Sequence, residues 1–438
     1  MSHVSNEEIR RLGSGEAGEI EAEGLAQHAL SCEPCRALIA GFVEDIAPRA
    51  KREGSLKALV ELIRVERDKA LELLITRAEW SSFRELTRKA QRDRVILSRA
   101  CHSSTFLDVL LAEMRSADSW NESEFLANLA LLVVQGMDEK RCPAALKNDL
   151  LAGIWTELAN VRRISSEWQH AAVALRKSEQ YLAEGTGNPL PRARMLSVTA
   201  SLRAEQGHLS EALALLKQCR QIYQASRDWS QVARTLVQMA YFLMDTEPDR
   251  GLTFLNQASP LIPVEDAALR WLAATLRTEG LIEIKQIDQA LMAFQWAESL
   301  RVFQTRPDAR LRSTFTAARL LEALGYTQEA ERLFEEVISG DLHLENYHTA
   351  FLDLLYLFGF HIRAGSTEKA IAICQRALAQ LDLLELGHDQ LRAVWTQLRD
   401  ATGRKALTSQ SLDMARSYLR VHWKHPAAKT PVLTAGTS

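Results

Sequence analysis

The sequence predicts an all-α protein: a small zinc-binding helical domain followed by an α-solenoid, a right-handed superhelix of helical hairpins. Three observations carry this prediction. A helical apolar period recurs along the 438 residues, with few glycines or prolines inside it. From residue 148 onward, a small residue followed by apolar residues returns at a fixed interval. Near the N-terminus, His28-Ala-Leu-Ser-Cys32-Glu-Pro-Cys35 gathers one imidazole and two thiols in a short run.

The N-terminal segment comes first. A helix is expected over Asn6–Leu12 and a second over about 19–30. Between them Gly13-Ser-Gly15-Glu-Ala-Gly18 has dinucleotide-loop spacing, but no strand precedes it, and Glu16 and Glu19 would repel phosphate. It reads as the turn between the two helices. His28 and Cys32 are four apart, so a helix places them on one face. Pro34 suits the first turn of a helix over Cys35–Asp45, whose N-terminal end would favour the Cys35 thiolate. Two thiolates and an imidazole suit Zn²⁺. His3 is the candidate fourth ligand; the alternative is a terminal residue with no role. A closed set of His3, His28, Cys32 and Cys35 would make the zinc structural, because catalytic zinc keeps one position open. Arg36 after the second cysteine excludes c-type haem attachment, and a thioredoxin-like motif lacks its βαβ context. A disulfide is the remaining alternative, uncommon in a chain without a secretory signal.

The run His28-Ala-Leu-Ser-Cys32-Glu-Pro-Cys35-Arg36-Ala37-Leu38 resembles the zinc-finger domain of zinc-binding anti-sigma factors. His3 matches the family's opening ligand, and Glu7-Glu8-Ile9 with residues 19–30 matches its Glu-rich helix pair. The resemblance covers about residues 3–46. It implies a zinc-held helical domain that keeps a sigma factor from RNA polymerase, with thiol oxidation releasing both in some members. The usual short tail or membrane helix of that family is replaced here by a long helical array.

Four segments are expected: the zinc finger at 1–46, a helical region at 54–147, the repeats at 148–407, and a short helix with a disordered tail at 408–438. The first boundary falls between Ala47-Pro48 and Gly54. Helical spacing follows over Ser55–Thr76, Thr105–Arg115 and Glu122–Gln135. The pair 122–137 and 148–163 reads as a degraded capping unit of the solenoid. Residues 1–50 hold 4 Lys/Arg against 9 Asp/Glu, and residues 51–100 hold 13 against 8, so the charge reverses between them. The basic peak, Arg84 to Arg94, reads as a solvated helix face rather than a nucleic-acid strip.

The repeats are marked by Ala172, Ala212, Gly251, Ala290, Ala330 and Ala370, at spacings of 40, 39, 39, 40 and 40. Each opens the second helix of a pair. Gly207, Gly325 and Gly365 stand where the first helix must end. The pattern resembles tetratricopeptide repeats, whose unit is about 34 residues. The surplus residues are expected in the links between pairs, as in Gln224–Ser230 and Phe303–Asp308. Such arrays commonly hold a peptide or protein in a groove.

Composition narrows the function. A net charge of −3 argues against nucleic acid, and no apolar run approaches a membrane span. The polar, acidic N-terminus shows no signal peptide, so a cytoplasmic protein is expected. Cys101, Cys142, Cys219 and Cys374 are scattered and read as buried small hydrophobes. Trp155, Trp168, Trp271 and Trp296 read as packing residues. His343 and His348, near Asp341 and Glu345, read as loop histidines rather than a metal site. No P-loop, Gly-x-Ser-x-Gly or His-Glu-x-x-His occurs, and no enzyme activity is expected. The expected function is regulatory: the finger binds a sigma factor or other regulator while the repeats bind a protein partner. The alternative is an interaction scaffold in which zinc is only structural.

Overall fold

The computed structural model describes Cys32 and residues 80–98, 101–116, 120–140, 142–165, 167–301, 307–344, 346–383 and 389–422. Among these residues the secondary structure is helical, with no strand. The chain divides into two compact units, Met1–Lys147 and Asn148–Ser438. The helices expected over Asn6–Leu12, 19–30, Cys35–Asp45 and Ser55–Thr76 lie outside the described residues.

In the first unit, α1 (Arg88–Leu97), α2 (Ser104–Ser116) and α3 (Trp120–Gly136) enclose a small core. Thr87 caps α1 by accepting from the Ala90 N–H at 3.3 Å. Phe83 lies between two other rings, with centroids 5.2 Å from Trp80 and 5.4 Å from Phe106. The basic run lies here. Arg88 donates to Glu122 at 2.8 Å and covers the Phe125 ring, and Arg84 pairs with Glu113 at 3.7 Å. Lys89, Arg92 and Arg94 are exposed, the solvated face that the sequence suggests.

The second unit is a stack of hairpins. First helices are α4 (Ala144–Ile164), α6 (Pro189–Glu205), α8 (Trp229–Leu243), α10 (Ala267–Glu283), α12 (Pro307–Ala323), α14 (Tyr347–Arg363) and α16 (Asp389–Gly403). Second helices alternate with them: α5 (Trp168–Ala183), α7 (Leu209–Ala225), α9 (Pro248–Ala258), α11 (Ile287–Arg301), α13 (Thr327–His343) and α15 (Thr367–Leu383). A final helix, α17 (Ser409–His422), closes the order.

Small residues let the paired helices approach. Ala212, Ala290, Ala330 and Ala370 are fully buried. A methyl on Gly251 would stand 3.1 Å from Met244 Cε. In the first pair the buried residue is Ala171, while Ala172 is partly exposed, so the repeat register there is one residue earlier than the spacing suggests. Aromatic and branched side chains fill the spaces that remain. Phe334, Phe351, Leu354, Phe358 and Trp395 form the core of the C-terminal half with no exposed surface.

In the α6–α7 unit the surplus over 34 residues lies in the helices and not in the link expected at Gln224–Ser230; the link expected at Phe303–Asp308 lies largely outside the described residues. Helices α6 and α7 have 17 residues each, and the link from α7 to α8 is only Ser226–Asp228. Gln224 and Ala225 are helical because the apolar stripe Leu216, Cys219, Tyr223 continues to the end of α7. Each extra turn of helix adds apolar stripe, which a longer loop would not.

One turn recurs. At Gly207 the backbone has φ 83°, its N–H bonds Ala204 O at 3.0 Å, and His208 N–H bonds Arg203 O at 2.9 Å. This left-handed residue with a six-to-one bond is the Schellman ending. Gly325 and Gly365 repeat it, as expected, and so do Arg227 (φ 56°), Lys285 (φ 62°) and Lys405 (φ 55°). Left-handed backbone costs a residue with a Cβ about 1 kcal/mol. Gly325→Ala is therefore expected to lower the unfolding free energy by about 1 kcal/mol. A methyl there meets nothing within 4 Å, so the loss is purely backbone. Lys285→Gly should raise stability by less, because glycine gains unfolded-state freedom. Urea midpoints of the two variants, moving in opposite directions, check this.

Candidate functional site

First helices of successive hairpins touch one another, α8 with α10 and α10 with α12. They line one face of the stack, called the inner face here, and polar side chains tie them together. Arg194 on α6 donates to both Glu157 oxygens on α4, each at 2.9 Å. Gln238 on α8 donates to Ser197 O at 3.1 Å and to Ser201 Oγ at 2.8 Å, both on α6. Arg312 on α12 donates to Glu279 on α10 at 2.9 and 3.1 Å, and the Thr316 hydroxyl adds a bond at 3.1 Å. Arg319 pairs with Glu283 at 2.5 Å, and Arg363 with Glu322 at 2.6 Å. Partners lie 36, 37 or 41 residues apart in most of these bonds. Positions 37 and 41 onward are one helical turn apart, so they occupy one face of the next first helix. The ladder is the repeat period expressed as hydrogen bonds.

Two tyrosines punctuate it. The Arg312 guanidinium lies 5.3 Å from the Tyr241 ring, and Tyr241 is 48% exposed. Tyr356 on α14 is buried between two guanidinium groups, Arg319 at 5.4 Å and Arg416 at 4.6 Å, with Phe315 edge-on at 4.9 Å. Its hydroxyl faces Asp245, just past α8, at 3.5 Å. An acid pair adjoins this region. Asp353 on α14 is 4% exposed, and its Oδ2 finds no hydrogen-bond partner among the described residues. Burial, reinforced by Asp341 nearby, pushes the Asp353 carboxyl well above its ordinary range, against the attraction of Arg312.

Of the residues singled out for zinc, only Cys32 is described, and it is half-buried; His3, His28 and Cys35 lie outside the described residues. No group of three or more candidate metal ligands occurs among the described residues. His343 ends α13, and His348 Nε2 donates to the Leu419 carbonyl at 3.1 Å. Asp341 accepts from Asn346 at 3.2 Å. Cys101, Cys142, Cys219 and Cys374 are buried. Burial pushes the Cys219 thiol up to about 11 and the Cys374 thiol up to about 12, so both stay protonated near neutral pH. Trp168 and Trp271 are buried as expected, whereas Trp296 is 49% exposed, with Arg270 over its ring. Trp296 covers a neighbour's side chain instead of filling the core. Among the described residues no helix is long and apolar enough to cross a membrane.

No family model matches the chain, and no curated protein matches it. The resemblance of residues 3–46 to anti-sigma zinc fingers thus rests on the quoted motif alone. A solved structure similar to this chain is that of Rap protein complexed with competence and sporulation factor. It is 14% identical, over 69% of this chain and 99% of that one, with a TM-score of 0.42.

Proposed function

We propose that this protein is a non-enzymatic regulator whose helical repeats hold a protein or peptide partner on the inner face. The observation that carries the reading is the Tyr241–Arg312 pair, a half-exposed ring covered by a guanidinium in the middle of the ladder. Tyrosine and arginine are the residue types that most often anchor protein interfaces. The ion pair with Glu279 fixes Arg312, and Arg312 in turn covers the Tyr241 ring, before a partner arrives, which lowers the entropic cost of binding. A photo-crosslinking amino acid placed at Tyr241 in cells should capture one dominant polypeptide. The same probe at Lys217, exposed on α7, should not. Equal capture at both positions, or none at Tyr241, would overturn the reading.

The N-terminal segment gives the proposal its finer form: a zinc-held helical module that engages a sigma factor or another regulator. The support is the motif itself. His3, His28, Cys32 and Cys35 are the proposed ligands, and zinc would lock the helices that present the binding surface. The purified protein is expected to carry about one zinc per chain. Cys32→Ser with Cys35→Ser should abolish that content, measured by elemental analysis. Stoichiometric zinc in the double variant would sink the assignment.

A further inference from the structure

Most ion pairs between first helices carry their two charges at different depths. Arg234 on α8 pairs with Asp266, the cap of α10; the arginine side chain is 50% exposed and the carboxylate 14%. Arg194 is 41% exposed over Glu157 at 8%, and Arg363 is 51% exposed over Glu322 at 23%. Arg312 is 30% exposed over Glu279 at 11%. Two pairs run the other way: Arg319 is more buried than Glu283, and Arg163 than Glu205. Each pair is neutral as a whole, yet the nearer charge dominates the potential at the surface, because the deeper one acts from farther away.

Two of these guanidiniums flank the half-exposed ring. Arg234 and Tyr241 are seven apart on α8, two helical turns, so they share a face about 10 Å apart along the axis. Arg312 covers the Tyr241 ring from α12. A guanidinium has five N–H donors. Arg234 gives Nη2 to Asp266, which leaves donors for a second carboxylate. Asp266 also accepts from the Leu269 N–H at 3.0 Å, so the capped end of α10 holds the pair in place. Asp245, one turn past Tyr241, is faced by Arg319 and the Tyr356 hydroxyl, and it bounds the electropositive stretch on that side.

We propose that the partner presents an acidic segment to this face, with one carboxylate on Arg234 and a second on Arg312 beside Tyr241. This rests on the reading of the inner face as the partner-binding face and names the partner's chemistry. Two carboxylates three residues apart on an extended segment span about 10 Å, the separation of Arg234 and Tyr241 along α8. Arginine meets a carboxylate through parallel N–H bonds that a lysine cannot make. A nucleic acid is the poorer fit, because the chain carries a net charge of −3 and each guanidinium already has a carboxylate beneath it.

The probe is a fluorescein-labelled peptide of about twelve residues that repeats Glu-Gly-Ser, added to the full-length protein. It should bind about tenfold more tightly than the matching Gln-Gly-Ser and Lys-Gly-Ser peptides, and the gap should close as salt rises. Arg234→Gln should remove most of that preference, and Arg234→Lys should keep part of it, because the charge stays. In both variants Asp266 keeps its bond to the Leu269 N–H. Arg332→Gln, exposed on α13, should leave binding unchanged. Equal binding of the three peptides, or an equal loss from Arg332→Gln, would overturn the proposal. Should Arg234→Gln fail to fold, the peptide comparison and its salt dependence on the wild type decide. An oligothymidylate that displaces the Glu peptide more effectively than unlabelled Glu peptide does would assign the face to nucleic acid and overturn the proposal too. If Tyr241 crosslinks a partner while the Glu peptide shows no preference, the partner reading stands and its acidic chemistry falls. A preference for the Glu peptide without a crosslink at Tyr241 leaves the acidic site standing and removes the regulatory reading.

Discussion

Glu279→Ala is expected to lower the stability of the repeat unit by about 3 kcal/mol, because it strands a charge between two helices. Glu279 is buried and accepts from Arg312 at 2.9 and 3.1 Å and from Thr316 at 3.1 Å. Without it the Arg312 guanidinium keeps the face of Tyr241, but its Nε already lacks a hydrogen-bond partner among the described residues. The Arg312 side chain is 30% exposed, so water relieves part of the loss, and the low end of the range for broken buried pairs applies. Glu279→Gln keeps an acceptor and should cost about half as much, since what goes is the charge on a hydrogen bond worth about 1.5–3 kcal/mol. Replacing both partners with methionine should restore most of the stability, because two apolar side chains of similar volume need no pairing. Urea midpoints followed by circular dichroism separate these outcomes. If the double variant is no better than Glu279→Ala alone, the contribution lies in packing and not in the ion pair.

The sequence made the hairpin array legible because its signals are local. Buried Ala212, Ala290, Ala330 and Ala370 mark where second helices must approach, and Gly207, Gly325 and Gly365 mark where first helices must end. The same turn at Arg227, Lys285 and Lys405 carries no such mark, because a left-handed backbone at lysine or arginine leaves no trace in composition. The surplus of the α6–α7 unit is hard to place from sequence for a related reason. Polar residues such as Gln224 look like loop, yet a helix of 17 residues needs an outer polar face to its end. The ladder was within reach of the sequence, as opposite charges recur 36 or 37 residues apart at Glu157 and Arg194 and at Glu283 and Arg319. Finding it requires knowing that first helices touch first helices. The place of α17 was not legible at all. Its stripe of Ala415, Tyr418 and Leu419 says that one face is buried and gives no hint that α14, not α16, is the main surface buried against it.

Asp353→Asn is expected to stabilise the protein at neutral pH, because asparagine needs no proton to stay uncharged in the fold. The variant's advantage should grow as pH rises. In the fold, burial and the neighbouring Asp341 hold the Asp353 carboxyl well above its ordinary value near 3.8. The folded chain therefore keeps a proton that the unfolded chain releases, and stability must fall with pH across that interval. The group's contribution is whole below pH 3.8, declines as pH rises, and is gone once pH passes the raised native value. Asparagine is uncharged throughout and can still donate to Asp341, so it removes the decline. The groups facing Asp353 set the rest: Arg312 opposes the upward shift, and Asn346, bonded to Asp341 at 3.2 Å, restrains the second carboxylate. Unfolding free energies of wild type and variant from pH 4 to pH 8 should therefore diverge by about 1.4 kcal/mol for each pH unit crossed, until the wild-type group ionises in the fold. The pH at which the divergence levels off reads the native pKa of the acid pair directly. A difference that stays flat over this range would mean that Asp353 is ionised in the folded protein, with Arg312 holding its charge.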